Sequence, residues 1–96
     1  GNTMYKYNEY NQGNLVEETM FTTKKEAREY LNNRVKAAKA SNKNLKTYFQ
    51  ESNSFYSIKD LRLASDIKAE EDGLIDLGDM EPAVYMEITE IEEIEE

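Results

Sequence analysis

The stretch Thr23-Lys24-Lys25-Glu26-Ala27-Arg28-Glu29-Tyr30-Leu31-Asn32-Asn33-Arg34-Val35-Lys36-Ala37-Ala38-Lys39-Ala40-Ser41-Asn42 decides the fold. It opens with a capping box. The Thr23 hydroxyl can accept from the Glu26 N–H, and the Glu26 side chain can reach back. Ala27, Tyr30, Leu31, Val35 and Ala38 then recur at three- and four-residue steps, which puts them on one stripe. This spacing predicts a helix from Thr23 to about Asn42 that lies across a small sheet. Ser41-Asn42-Lys43-Asn44 suits a C-terminal turn, with Asn available for a left-handed cap, and lysines in the last turn suit the negative end of the dipole.

Before the helix, Thr3 to Tyr10 and Leu15 to Phe21 read as two strands joined by the turn Asn11-Gln12-Gly13-Asn14. Tyr5 and Tyr7 share one face of the first strand, and Met4, Lys6, Asn8 and Tyr10 share the other. In the second, Val16 and Met20 fall on one face and Leu15 and Phe21 on the other. After the helix, Leu45 to Glu51 and Phe55 to Ile58 form a second hairpin around Ser52-Asn53-Ser54. Alternation of Lys59, Leu61 and Leu63 extends its second strand to about Leu63, with a short helix over Leu61 to Glu71 as the alternative. Residues 65–82 read as an acidic loop, and Ala83 to Ile91 as a strand preceded by Pro82. Val84, Met86 and Ile88 take one face of that strand, and Tyr85, Glu87 and Thr89 the other. Residues 92–96 read as an acidic tail that frays. The expectation is one α+β domain over residues 1–96: an antiparallel sheet of four or five strands packed by one main helix. The order is β-hairpin, helix, β-hairpin, acidic loop, C-terminal strand.

Charge is distributed unevenly. Residues 1–65 carry 11 Lys or Arg against 7 Asp or Glu, a net of +4, while residues 66–96 carry 1 Lys against 13 Asp or Glu, a net of -12. With no His and no Cys, thiol catalysis, most zinc sites and most nucleophile–base pairs are excluded. No two carboxylates are held at an acid/base spacing, so no enzyme and no cofactor is expected. Residues 68–79 approach the spacing of a calcium loop around Gly73, but Lys68 stands where the first carboxylate belongs and Asp79 where a Glu belongs. No metal site is expected there. No apolar run approaches a membrane span, so the expectation is a cytoplasmic protein without membrane contact.

Two surfaces remain as candidates. Lys25, Arg28, Lys36 and Lys39 lie within about 80° of one another on the helix, a ridge that could follow phosphates. Tyr5 and Tyr7 could stack on bases, although packing is the commoner fate of strand tyrosines. Arg34 falls inside the apolar stripe. Its methylenes can lie on the core with the head at the edge; otherwise the head needs a buried carboxylate. The stronger candidate is the acidic third, with Asp72, Asp76, Asp79, Glu81, Glu87 and Glu90 as partner-binding residues, assisted by Tyr85.

Small size, an acidic surface and a vocabulary of Lys, Asn, Glu, Ile and Tyr are similar in style to small phage-encoded anti-defence proteins, including anti-CRISPR inhibitors. The similarity covers no motif and transfers no residue. The functional expectation is a non-catalytic binding protein or inhibitor. It occupies a basic surface on a partner, such as a nucleic-acid enzyme or effector, and so acts as a nucleic-acid mimic. The alternatives are a nucleic-acid-binding accessory protein that uses the helix ridge, and a carboxylate-based enzyme. Direct nucleic-acid binding is not expected under the leading reading, and the sequence leaves the oligomeric state open.

Overall fold

The structure, a computed structural model, describes residues 2–92. Two hairpins, β1 (Thr3–Asn11) with β2 (Asn14–Phe21) and β3 (Leu45–Ser52) with β4 (Tyr56–Leu63), flank helix α1 (Lys24–Ser41) in the chain. Helix α2 (Ala64–Glu71), a 3-10 turn (Leu77–Asp79) and strand β5 (Val84–Glu92) follow. The sheet order is β2-β1-β5-β4-β3, and every neighbouring pair is antiparallel. The last strand therefore lies in the middle and joins the two hairpins. The fold is the expected α+β arrangement, with α1 across one face. Among the described residues no helix is long and apolar enough to cross a membrane.

Local chemistry explains the boundaries. Thr23 caps α1, its Oγ1 accepting from the Glu26 N–H at 3.2 Å and lying 2.8 Å from the Glu26 carboxylate. At the far end Asn42 stays extended, with φ -142°, and does not take the left-handed cap. Its side chain accepts from the Asn44 N–H instead, an Asx turn that aims the chain into β3. Gln12 and Gly13 both have positive φ, as a two-residue hairpin requires for its twist to match the strands. Asn53 Oδ1 accepts from the N–H groups of Phe55 and Tyr56 and closes the other hairpin.

The core is a single layer between α1 and the sheet. Tyr7, Ala27, Leu31, Leu61, Met86 and Ile88 are buried together, with Tyr5, Phe21, Tyr30, Val35, Ala38 and Val84 around them. Tyr7 meets Tyr30 edge-on at 5.0 Å between ring centroids. Full burial of Tyr7 settles its role as packing, not as a base-stacking platform. Arg34 meets both readings of its position: its head lies partly exposed at the edge of the apolar layer, and it pairs with the buried Glu9 carboxylate. Its guanidinium spans Glu9 at 2.9 and 3.0 Å, and the Tyr7 hydroxyl donates to the same carboxylate. The Arg34 bonds hold the Glu9 carboxyl below the ordinary carboxylate range, against the opposing effect of burial.

Three expectations need correction. Residues 65–82 are not a plain loop: α2 takes Ala64–Glu71 and the 3-10 turn takes Leu77–Asp79. Both readings of the region hold in part, because the strand ends at Leu63 and the helix begins at once. The good helix formers Ala64, Lys68, Ala69, Glu70 and Glu71, with an i,i+4 ion pair from Lys68 to Asp72, favour that outcome. Second, strict alternation fails in β2. Glu17 pairs with Glu9 but Leu15 pairs with Tyr10, so Val16 is an extra residue in a bulge. Leu15 thereby joins Met20 on the face away from α1, while Phe21 faces the helix. Third, Glu92, placed in the acidic tail, is the last residue of β5; the rest of the tail lies outside the described residues.

Leu31→Ala should destabilise the protein by about 2–5 kcal/mol, the range for large-to-small changes in a core. A loss under about half a kcal/mol in urea melts would remove the stripe from the core. The Glu9 pair carries a pH signature. Its folded pKa is depressed, so its stabilisation is present above the unfolded pKa and lost as pH falls through the folded value. Glu9→Gln should cost about 1.5–3 kcal/mol at neutral pH, held down by the partly exposed guanidinium. The gap to the parent should close below roughly pH 4, which melts across a pH series would measure.

Candidate functional site

Side chains of β4 alternate, so Asp60 and Arg62 point to the face that α1 leaves free while Leu61 enters the core. Both are buried, and they anchor the segment from Leu77 to Met80 on that face. Arg62 Nε and Nη2 donate to the two oxygens of Asp60 at 2.7 and 3.1 Å. Its Nη1 donates to the carbonyls of Leu77 and Met80 at 3.1 and 2.8 Å. A bulge at Tyr48 in β3 brings that ring over the guanidinium, with 5.4 Å from Cζ to the centroid. The Tyr48 hydroxyl donates to Glu70 Oε1, and the Leu77 N–H donates to Glu70 Oε2. This closed circuit straps residues 64–80 onto the sheet, with Leu77 fully buried beneath.

The strap fixes an acidic surface. Residues 66–81 hold seven carboxylates and one lysine. Asp72 is exposed and pairs with Lys68 at 2.6 Å. Asp76 caps the 3-10 turn, accepting from the Gly78 N–H at 2.9 Å, and Asp79 lies exposed within the turn. Glu81, Tyr85 and Glu87 converge further along, in a cleft of about 310 Å³ completed by Tyr10, Gly13 and Pro82. Tyr10 and Tyr85 are direct partners in the β1–β5 ladder, their ring centroids 6.0 Å apart. Glu87 accepts from Asn8 Nδ2 at 3.2 Å and from the Tyr10 hydroxyl at 3.4 Å. Burial first, and then the Glu87 charge, raise the Tyr10 and Tyr85 hydroxyls above their ordinary value.

Glu90 does not join this group. It is an even-numbered residue of β5, on the helix side with Ile88, where the Tyr5 hydroxyl reaches it at 3.4 Å. Tyr10 and Gly13 were not singled out from the sequence. The register of a strand pair distant in sequence brings Tyr10 opposite Tyr85, and no local pattern carries that information.

Half of the basic ridge is tied down. Arg28 donates to Ser57 Oγ, Ser52 Oγ and the Asn53 carbonyl, and Lys39 donates to Thr47 Oγ1. Lys25 and Lys36 are exposed. Among the described residues no group of three or more His, Cys, Asp or Glu is placed to hold a metal ion. Lys68 to Glu71, the start of the supposed calcium loop, form the last turn of α2.

Replacing Arg62 tests the strap. Arg62→Met should free the Leu77 and Met80 carbonyls and leave Asp60 buried without its partner, costing about 3–5 kcal/mol. The double change Asp60→Asn with Arg62→Met should recover part of that loss. Hydrogen exchange should show faster exchange at the Leu77 N–H in Arg62→Met than at amides of β1; equal acceleration everywhere would deny the residue a local role.

No protein-family model, no curated protein and no solved structure matches the chain.

Proposed function

We propose that the protein is a non-catalytic binding module that uses the acidic side of its sheet to occupy a basic surface on a partner protein. The observation that carries this reading is the Arg62 strap. A chain that needed acidity only for solubility would gain it from a loose tail. Here a buried arginine, its Asp60 partner and the Tyr48–Glu70–Leu77 bonds hold Asp72, Asp76 and Asp79 on a structured platform. Ordered charges give up little conformational freedom on docking, and their field speeds encounter with a basic partner. Basic grooves of matching character serve nucleic-acid enzymes and effectors, so the reading extends to a mimic of phosphate that inhibits such a partner.

The helix ridge supports the competing reading less well. Two of its four cations already bond the β3–β4 hairpin, and the opposite side repels phosphate.

Partners captured from a host lysate should be ranked by binding kinetics. Association should slow steeply with added salt, while dissociation changes little. Asp79→Lys should slow association severalfold, and Glu29→Lys, an equal change of charge on α1, should leave it nearly untouched. Binding insensitive to salt and to both changes would end the acidic-surface reading. In gel shifts at physiological salt, submicromolar affinity for DNA or RNA that is lost in Lys36→Glu with Lys39→Glu would transfer the function to the ridge.

A further inference from the structure

In the cleft between the β1–β2 turn and the start of β5, rings and carboxylates close around a hollow on the acidic side. Its walls are Tyr10, Tyr85 and Pro82, and its charges are Glu81 and Glu87. No lysine or arginine lines it. We propose that this cleft receives the side chain of an arginine from the partner, so that the acidic surface steers and the cleft anchors. The proposal rests on the reading of the acidic side as the docking surface.

The cleft is built, not incidental. Tyr10 and Tyr85 face each other across the ladder, and the Gln12 N–H donates to the Ala83 carbonyl, which holds the turn beside β5. Gly13, at φ +83°, has no Cβ where the Glu81 carboxyl lies; a Cβ there would meet Glu81 Cδ at 3.1 Å. The Asn8 amide and the Tyr10 hydroxyl both bond Glu87 through Oε1. That orients the carboxylate, and among the described residues Oε2 carries no hydrogen bond.

The chemistry selects the guest. An anion meets two carboxylates and is repelled. An apolar side chain would strip water from Glu81 and Glu87 with nothing in return. A cation gains from both carboxylates and from the electron-rich faces of two rings. Of the two basic side chains, arginine fits better. Its planar guanidinium lies flat on a tyrosine ring while its fork donates to carboxylates on either side, whereas a lysine ammonium is a strongly hydrated point. Negative charge around the rings is already felt by their hydroxyls, whose ionisation Glu87 opposes. Arginine and tyrosine are also the residues that most often dominate the binding energy of an interface.

The test titrates N-acetyl-arginine methylamide into the whole chain and follows the aromatic resonances of Tyr10 and Tyr85 by NMR. Saturable shifts centred on these rings, with a dissociation constant in the millimolar range, are expected. Glu81→Gln, a change at an exposed residue, should weaken the response severalfold, and Tyr85→Phe, which keeps the ring, should retain it. The norleucine analogue should give no saturable shift. No saturation at these rings with the arginine probe, or shifts centred elsewhere, would overturn the proposal. A lysine analogue that binds as tightly would overturn the assignment of a guanidinium. With a partner in hand the two ideas separate. If Asp79→Lys slows association but Glu81→Gln and Tyr85→Leu leave the complex lifetime unchanged, the anchor falls and the acidic docking surface stands. If salt and every acidic change leave binding untouched, the docking reading itself fails.

Discussion

Everything in this molecule hangs on β5. Each hairpin alone is two strands with one apolar face, and an isolated pair of strands is at best marginal in water. Strand β5 lies between them, pairs with β1 along its full length and with β4 over six positions, and converts two ribbons into one sheet. Only then is the sheet wide enough for α1 to bury Leu31 and Ala27 against Tyr7, Met86 and Ile88. The alternation of β5 also separates the functions of the two faces. Val84, Met86 and Ile88 build the core, and Tyr85 and Glu87, from the same strand, build the cleft on the other side.

Each face is finished by one arginine that finds a carboxylate. On the helix side Arg34 grips Glu9, and on the free side Arg62 grips Asp60. The two differ in kind. Arg34 is partly exposed and closes the rim of an apolar layer. Arg62 is buried and turns its remaining donors to backbone carbonyls, so that a guanidinium takes the place of a hydrophobic core under α2 and the 3-10 turn. A buried ion pair gives less net stability than apolar packing of the same volume, but its bonds are directional. Those directional bonds hold the segment that carries Asp76 and Asp79 in one position.

The fold was legible in the sequence where one residue's neighbours announce its environment. The Thr23–Glu26 capping box and the stripe from Ala27 to Ala38 gave the helix, and alternation in 84–89 gave the central strand and its two faces. Legibility stopped at events that break a local rule. Bulges at Val16 and Tyr48 each shift a strand by one residue, and nothing beside them marks the shift. Helix α2 is eight residues with no buried side chain, and its short apolar pattern competes with the alternation of the strand before it, so it reads only as the alternative to an extended segment. The site was half visible. Glu81, Tyr85 and Glu87 stand out as acidic and aromatic residues near one strand. Tyr10 enters only through register with a strand about 75 residues away in the chain, and Arg62, which holds Leu77 and Met80 on that face, reads in the sequence as an ordinary polar position between two leucines.

The two bulges have a consequence for how this protein behaves in a crowd of its own kind. Both lie in β2 and β3, which among the described residues are the outermost strands of the sheet. An open strand edge is a template on which another chain can add and from which filaments grow. At Val16 and at Tyr48 the ladder of donors and acceptors falls out of step, so a strand arriving from outside can follow each border only part of the way. The same irregularity that defeats simple alternation thus makes both borders of the sheet poorer templates for an added strand.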